Sequence, residues 1–396
     1  MGERGERPLR IGYFWTSGMP RQETDTQQVA NTIDALGLAG AEVDLVLPGR
    51  WRSLFSGGAE AMRQAIAAFY GVTGAFRVRP FWGVPASRLE VERPVHGLLQ
   101  TALWSKRYDV VHTRSRATLW TAARLGRPVV FETYRRLATS APRFARVLAA
   151  ASHRPGFLGV VTHSQESADS LASAGVRADR IRVLHNGWDP RSMEPRLDKA
   201  AARAQLGLDP ARPLVVYTGN VQRNKGLDSV LAMAERTPDV GYVIVGGQPA
   251  HLEELRAEIA RRGLANVETP GWFPAPELPP FMFAADVLII PPTAGPLEQH
   301  GRTVLPMKVF SYLAAGRPVL APDLPDNREV LTDGENARLV PADDTAAAVA
   351  ALRGMLDDPA QAQRLGEGAR ASAAGLTWQA RGERLLAQYR EWLAAG

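Results

Sequence analysis

Residues 213–226 read PLVVYTGNVQRNKG: a short β-branched and aromatic run, a glycine, a polar loop carrying Arg223 and Lys225, and a second glycine before a helical pattern that runs to Arg236. A strand that empties through a glycine turn into a helix leaves the first helical N–H groups without partners. The helix dipole aims them at whatever fills the turn. Phosphate suits such a place, with Lys225 as a point charge and Asn220 and Arg223 as further donors. The spacing matches neither GxxxxGK[ST] nor GxGxxG, so P-loop and dinucleotide fingerprints are set aside.

The same pattern opens the first half of the chain. LRIGYFW (9–15) leads into Thr16, Ser17 and Gly18, and a helical pattern follows from Gln28 to Gly37. Further strand-like runs are AEVDLVLP, YDVVHTR, RPVVFE, GVVTHS and IRVLHN, and then VGYVIVGG, VETPG, ADVLIIPP and RPVLAP. Short β-branched runs separated by helix-length segments indicate βαβ units and parallel sheets. Several runs close on polar residues (Thr113, Glu132, Ser164, Asn186), as befits sites at the carboxyl ends of strands. Four prolines and many charges between 188 and 213 read as a linker. The expected division is a first domain over 1–190 joined by a last helix at about 380–396, a linker over 191–212, and a second domain over 213–379.

A second chemically loaded stretch is 285–322, ADVLIIPPTAGPLEQHGRTVLPMKVFSYLAAGRPVLAP. A buried strand ends at Pro291 and Pro292, and a loop carries Glu298, His300, Gly301 and Arg302. A helix is expected from about Thr303 to Gly316, with Val304, Lys308, Ser311 and Ala315 on one face. Its first turn, with Arg302 and Thr303, is a second candidate anion site.

The chain has 396 residues, 45% of them hydrophobic, and no cysteine. That length suits two or three domains with sizeable cores. The missing cysteines exclude disulfide frameworks, cysteine zinc sites and a thiol nucleophile. The N-terminus lacks the apolar core of a secretory signal, and no apolar run approaches the ~20 residues of a membrane span, so a soluble cytoplasmic protein is expected. Residues 1–190 hold 25 Lys and Arg against 16 Asp and Glu, a balance of +9, whereas the remainder stands at −3. A basic first half points to an anionic partner. Of only four lysines, Lys225 and Lys308 fall in the two stretches above.

Taken in order, TGN…KG after a strand, ADVLIIPP, PMKVFSYLAAGRPVLA and DNREVLTDGENARLV resemble the donor-binding half of glycosyltransferase family 4. AGAEVDLVLP, YDVVHTR, GRPVVFE and IRVLHNGWDP resemble its first half. The resemblance runs from about Arg10 to Leu393. It implies an α/β protein of GT-B fold, two Rossmann-like domains facing a cleft, that transfers a sugar from a nucleotide-sugar donor to a hydroxyl acceptor with retention of configuration. It also implies that Lys225 binds the donor diphosphate, that Gly18, Gly219, Arg223, Gly301, Arg302, Thr303 and Lys308 line the donor site, and that Glu298 matches the first of the family's two glutamates. Departures are visible: Asn220 stands where arginine is usual, Ser311 stands at the ribose-binding glutamate, and Tyr134 takes a histidine position near the transferred sugar. His163 and Ser164 are further cleft candidates, and 186–189 reads as a turn. No DxD-like carboxylate pair occurs, so no metal and no cofactor beyond the co-substrate are expected.

Residues 134–159 interleave Arg135, Arg136, Arg143 and Arg146 with apolar residues. Read as a helix, they form a basic amphipathic surface able to meet a lipid-linked or polysaccharide acceptor at the inner face of an anionic membrane. No nucleic-acid-binding motif accompanies the charge. Two other readings stand beside this one: a catalytically silent nucleotide-sugar-binding protein, to which Ser311 and Asn220 point, and a nucleotide-sugar 2-epimerase, another enzyme class of the same fold.

Overall fold

Among the described residues of this computed structural model (7–49, 57–82, 92–300 and 305–395), thirteen strands form two wholly parallel sheets. The chain divides into two units, residues 1–185 with 378–396, and residues 186–377. In the first, β1 (Arg10–Phe14), β2 (Glu42–Gly49), β3 (Arg77–Trp82), β4 (Val110–Thr113), β5 (Val129–Thr133), β6 (Phe157–Thr162) and β7 (Ile181–Val183) lie in the order β3-β2-β1-β4-β5-β6-β7. In the second, β8 (Leu214–Thr218), β9 (Gly241–Val245), β10 (Val267–Gly271), β11 (Val287–Ile289), β12 (Val319–Pro322) and β13 (Arg338–Val340) lie in the order β10-β9-β8-β11-β12-β13.

Period-two alternation along the central strands feeds a core on either face of the sheet. In β8, Leu214 and Val216 enter one core while Val215 and Tyr217 enter the other. The strand order reverses at β1 and at β8, each flanked by a neighbour on both sides. In open parallel sheets the crevice at such a switch point, beyond the carboxyl ends, is where ligands are held. The turns after β1, β4, β8 and β11 therefore occupy the favoured positions.

Several expectations need correction. Residues 191–212 are not a free linker: the helix Lys199–Leu206 lies in the second unit, with Ala202 fully buried and Arg203 bonded to the Ala284 carbonyl (3.0 Å) and Asp286 (2.6 Å). Residues 134–159 are not one helix. Pro142, which cannot donate to a preceding turn, separates Leu137–Ser140 from Pro142–Ala151. The helix expected from Thr303 begins at Lys308, because Pro306 disfavours helical geometry at the residue before it. Strands β3 and β13 escape the sequence reading. Both are sheet edges, where a proline such as Pro80 costs no ladder bond and the alternation is short. Among the described residues no helix is long and apolar enough to cross a membrane.

The last helix, Trp378–Ala394, packs on Thr24–Leu38 of the first unit. Gly382 makes the crossing possible, since a Cβ there would come within 2.6 Å of the Ala35 backbone. Gly382→Leu is therefore expected to overpack this crossing, destabilising the first unit by about 1–3 kcal/mol. Calorimetry would show its transition falling by several degrees while that of the second unit stays in place.

Candidate functional site

The turn after β8 is built by close backbone approach. Gly219 has φ 138°, and its carbonyl stands where a side chain at Gly246 would otherwise be. Tyr217 turns back to the loop, its hydroxyl donating to the Asn220 carbonyl (2.7 Å). The Asn220 carboxamide accepts from the Gln222 N–H (3.1 Å), so this side chain shapes the loop as an Asx turn. Tyr312 closes the strand end: the Thr218 N–H donates to its hydroxyl at 2.7 Å.

Into this turn comes Lys308, the first residue of the helix Lys308–Ala315. Its Nζ lies 3.4 Å above the centre of the Tyr217 ring and 2.7 Å from where a Cβ on Gly219 would sit. Among the described residues no carboxylate pairs with it. Burial, together with the nearby charge of Lys225, holds the Lys308 ammonium well below the ordinary lysine range. Two of the chain's four lysines thus converge on one glycine turn, and the charge of Lys225 raises the cost of charging Lys308. Ser311 follows one turn along, half-buried. Arg223 points elsewhere, with its side chain 89% exposed and its guanidinium 3.4 Å from Glu254.

The turn after β11 is pinned from a distance. Asp343 adopts φ 64°, a left-handed conformation that aspartate tolerates better than most residues. Its carboxylate bonds to the Thr293 hydroxyl and accepts the Ala294 N–H (3.1 Å), while its own N–H donates to the Pro292 carbonyl (2.9 Å). Thr293 in turn abuts Gly226, leaving no room for a side chain there. The short helix Gly295–His300 is held against the 223–225 turn, and its Glu298 faces solvent. Glu298 was expected in a loop, but this helical turn carries it. Gly301, Arg302 and Thr303 lie outside the described residues.

In the first unit the strand ends converge on a carboxylate. Glu132, 1% exposed, receives Arg381 at 2.6 Å, the Tyr13 hydroxyl at 3.0 Å and the Gln28 amide at 3.1 Å, with His112 and His163 each at 3.2 Å. Burial works to raise its pKa, but Arg381 and the two histidines prevail and hold it well below the carboxylate range. Burial pushes His163 down to about 4 and lowers His112 as well, so both rings are neutral at neutral pH. Tyr134 stacks on His163 (centroids 6.1 Å apart) and lies under Arg114 and Arg135. Gly18 is exposed, with open space around it. Among the described residues no three His, Asp or Glu side chains are arranged to hold a metal ion.

The structure thus brings Gly219, Asn220, Lys225 and Lys308 to one turn, with the helix of Glu298 beside it, and sets Tyr134 and His163 together in the first unit. The sequence reading missed Tyr217, Tyr312, Asp343 and Arg381. None has a local signal, because each acts across strands or from a remote part of the chain.

Residues 26–192 match the family model described as Glycosyltransferase Family 4, and residues 212–358 match that described as Glycosyl transferases group 1. D-inositol 3-phosphate glycosyltransferase 1 of Catenulispora acidiphila is 29% identical over 60% of this chain and 58% of its own length. The lipopolysaccharide core biosynthesis mannosyltransferase LpsB of Rhizobium meliloti is 31% identical over 44% of this chain and 50% of its own. The chain therefore spans about half the length of these curated relatives. The structure of HepE from Anabaena, in complex with UDP and glucose, superposes with a TM-score of 0.73 at 18% identity, covering 97% of this chain and 99% of that one.

Arg381→Leu tests the buried network. It strands a carboxylate in the core and is expected to destabilise the first unit by about 3 kcal/mol or more at pH 7. In the wild type the stability supplied by Glu132 is present above the ordinary glutamate pKa and is lost as pH falls toward the lowered folded value. The variant lacks most of that contribution, so its deficit narrows on acidification. Adding Glu132→Gln is expected to recover part of the loss in urea titrations.

Proposed function

The chain belongs to glycosyltransferase family 4, of GT-B fold, and from that premise we propose that it transfers a sugar from a nucleotide-sugar donor to a hydroxyl acceptor with retention of configuration. The observation that carries the reading is the pair of lysines at the Gly219 turn. A buried ammonium that lacks a carboxylate and is further disfavoured by a second lysine is a site prepared for an anion, and a diphosphate supplies two or more charges at once.

In the reaction, the bond from the anomeric carbon to the diphosphate oxygen breaks and negative charge grows on the departing diphosphate. Lys225 and Lys308 neutralise it, helped by the loop N–H groups of the turn. The acceptor oxygen bonds to the same face of the sugar, and its proton passes to the diphosphate oxygen being released. The reading assigns the nucleotide ribose to the Ser311 turn and the transferred sugar to Glu298, and keeps Tyr134 as the first unit's own candidate. Arg223 remains at the margin of the donor. It invokes no metal, since the leaving charge is met by lysines.

The acceptor is assigned to the basic first unit. A glycan or lipid-linked hydroxyl fits its +9 balance, as does a cytoplasmic enzyme resting on an anionic membrane through Arg135, Arg136, Arg143 and Arg146. Structural relatives crystallised with UDP and UDP-glucose support a nucleotide-sugar donor. A second reading, donor binding without turnover, has one observation behind it: the Asn220 Oδ1 is engaged by its own loop, which leaves a neutral carboxamide N–H where an arginine would bring a charge.

Lys225→Ala is expected to weaken nucleoside diphosphate binding by about tenfold or more and to abolish transfer, whereas donor binding with no transfer by the wild type would favour the second reading. Lys308→Met separates binding from stability. Loss of one charge-assisted contact weakens the diphosphate by roughly 10–100-fold in calorimetry. Because the Lys308 pKa is lowered in the fold, the wild type loses stability as pH falls from the ordinary lysine value toward the lowered one. The unliganded Met variant therefore melts higher, by a margin that grows on descending through that window and shrinks when nucleotide is added to the wild type.

A further inference from the structure

The helix Glu92–Trp104 is inside out. Its inner face carries Glu92, His96, Gln100 and Thr101, all buried. These polar groups have partners: His96 Nδ1 lies 3.1 Å from the Thr16 carbonyl, Gln100 donates to the Trp15 carbonyl (3.4 Å), and Thr101 donates to the Gly97 carbonyl (2.6 Å). The helix thus uses its polar side to hold the loop after β1, and its apolar side is left to the outside. Val95, Leu98, Leu99 and Leu103 are 37%, 39%, 43% and 57% exposed, spaced as one helical stripe.

Neighbouring elements extend the stripe. The helix Arg116–Arg124 packs beside it and exposes Trp120 (50%), while Phe81, next to the 65%-exposed Trp82, meets Trp104 edge-on at 5.7 Å. Cations rim the patch: Arg107 lies over the Trp104 ring (5.2 Å), Arg124 over Trp120 (4.8 Å), and Lys106 is exposed beside them. Among the described residues no carboxylate forms an ion pair with any of these three. From 93 to 127 the chain has seven Lys and Arg and one Asp or Glu.

We infer that this face seats the protein on an anionic lipid surface, with the leucine stripe entering the interfacial layer and the cations meeting lipid phosphates. The inference rests on the membrane contact proposed above but moves its principal surface from Arg135, Arg136, Arg143 and Arg146 to this face. A large exposed apolar patch marks an interaction site. Its rim chooses the partner: a two-fold copy of the chain would bring like charges together, whereas an anionic bilayer complements both stripe and rim. The helix Pro142–Ala151 is a lesser contributor. Among its large hydrophobics only Val147 is exposed, and Phe144 is covered by Arg116.

Co-sedimentation of the full chain with vesicles tests this without any sugar substrate, so its outcome is independent of transfer. The wild type is expected to bind phosphatidylcholine vesicles containing about a quarter phosphatidylglycerol and to bind pure phosphatidylcholine far less. Leu99→Glu with Leu103→Glu, both at exposed positions, is expected to lower partition by roughly tenfold or more with an unchanged thermal midpoint. Lys106→Ala, Arg107→Ala and Arg124→Ala together are expected to erase the preference for phosphatidylglycerol, each cation being worth about fivefold. Wild type that ignores phosphatidylglycerol overturns the inference. So does binding that survives the leucine changes but is lost in Arg143→Ala with Arg146→Ala, and so does a dimer in light scattering that the leucine changes dissolve while vesicles remain unbound.

Discussion

The ion pair between Glu132 and Arg381 joins residues 249 positions apart in a place almost without water. A carboxylate there is tolerated only if its charge is matched and its oxygens are bonded. That requirement draws in Tyr13 from β1, His112 from β4, His163 beyond β6 and Gln28 from the first helix, and it anchors the last helix to the first unit. Tyr134, stacked on His163, takes its place from the same assembly. The carboxyl ends of the central strands are therefore tied together through one buried carboxylate.

The second unit treats a buried charge in the opposite way. Lys308 enters a confined turn and meets an aromatic face and a second lysine's field in place of a carboxylate. Where the first unit settles its buried carboxylate internally, the second leaves a demand that an anion from outside would satisfy. That contrast separates a charge used for architecture from one open to a ligand, as the proposed transfer from a nucleotide carrier requires. The tether from Asp343 to Thr293 and the contact of Thr293 with Gly226 keep the two turns of the site in register around the lysines.

A third solution appears at the surface. The helix Glu92–Trp104 sends its polar side inward to secure the backbone after β1 and gives water its leucines. The cost of that exposure is offset if lipid replaces water there. Support of the β1 turn and attachment to a surface are then two faces of one helix.

Much was legible in the sequence because it is local. Periodicity marked the βαβ units, the glycine turns marked the switch points, and the rarity of lysine singled out Lys225 and Lys308. The ends of elements were less legible. Pro142 divides an expected helix, Pro306 delays another, and the edge strands β3 and β13 are too short or too interrupted to show alternation. The partners of Glu132, the ring beneath Lys308 and the outward face of Glu92–Trp104 were beyond reach. Each is fixed by which distant segments meet, and a side chain's identity states its chemistry but not its neighbours. The sequence by itself determined the fold class and the kind of groups available. Only the tertiary structure decided which charges are neutralised within the protein and which are left without a carboxylate, because burial and pairing are properties of packing.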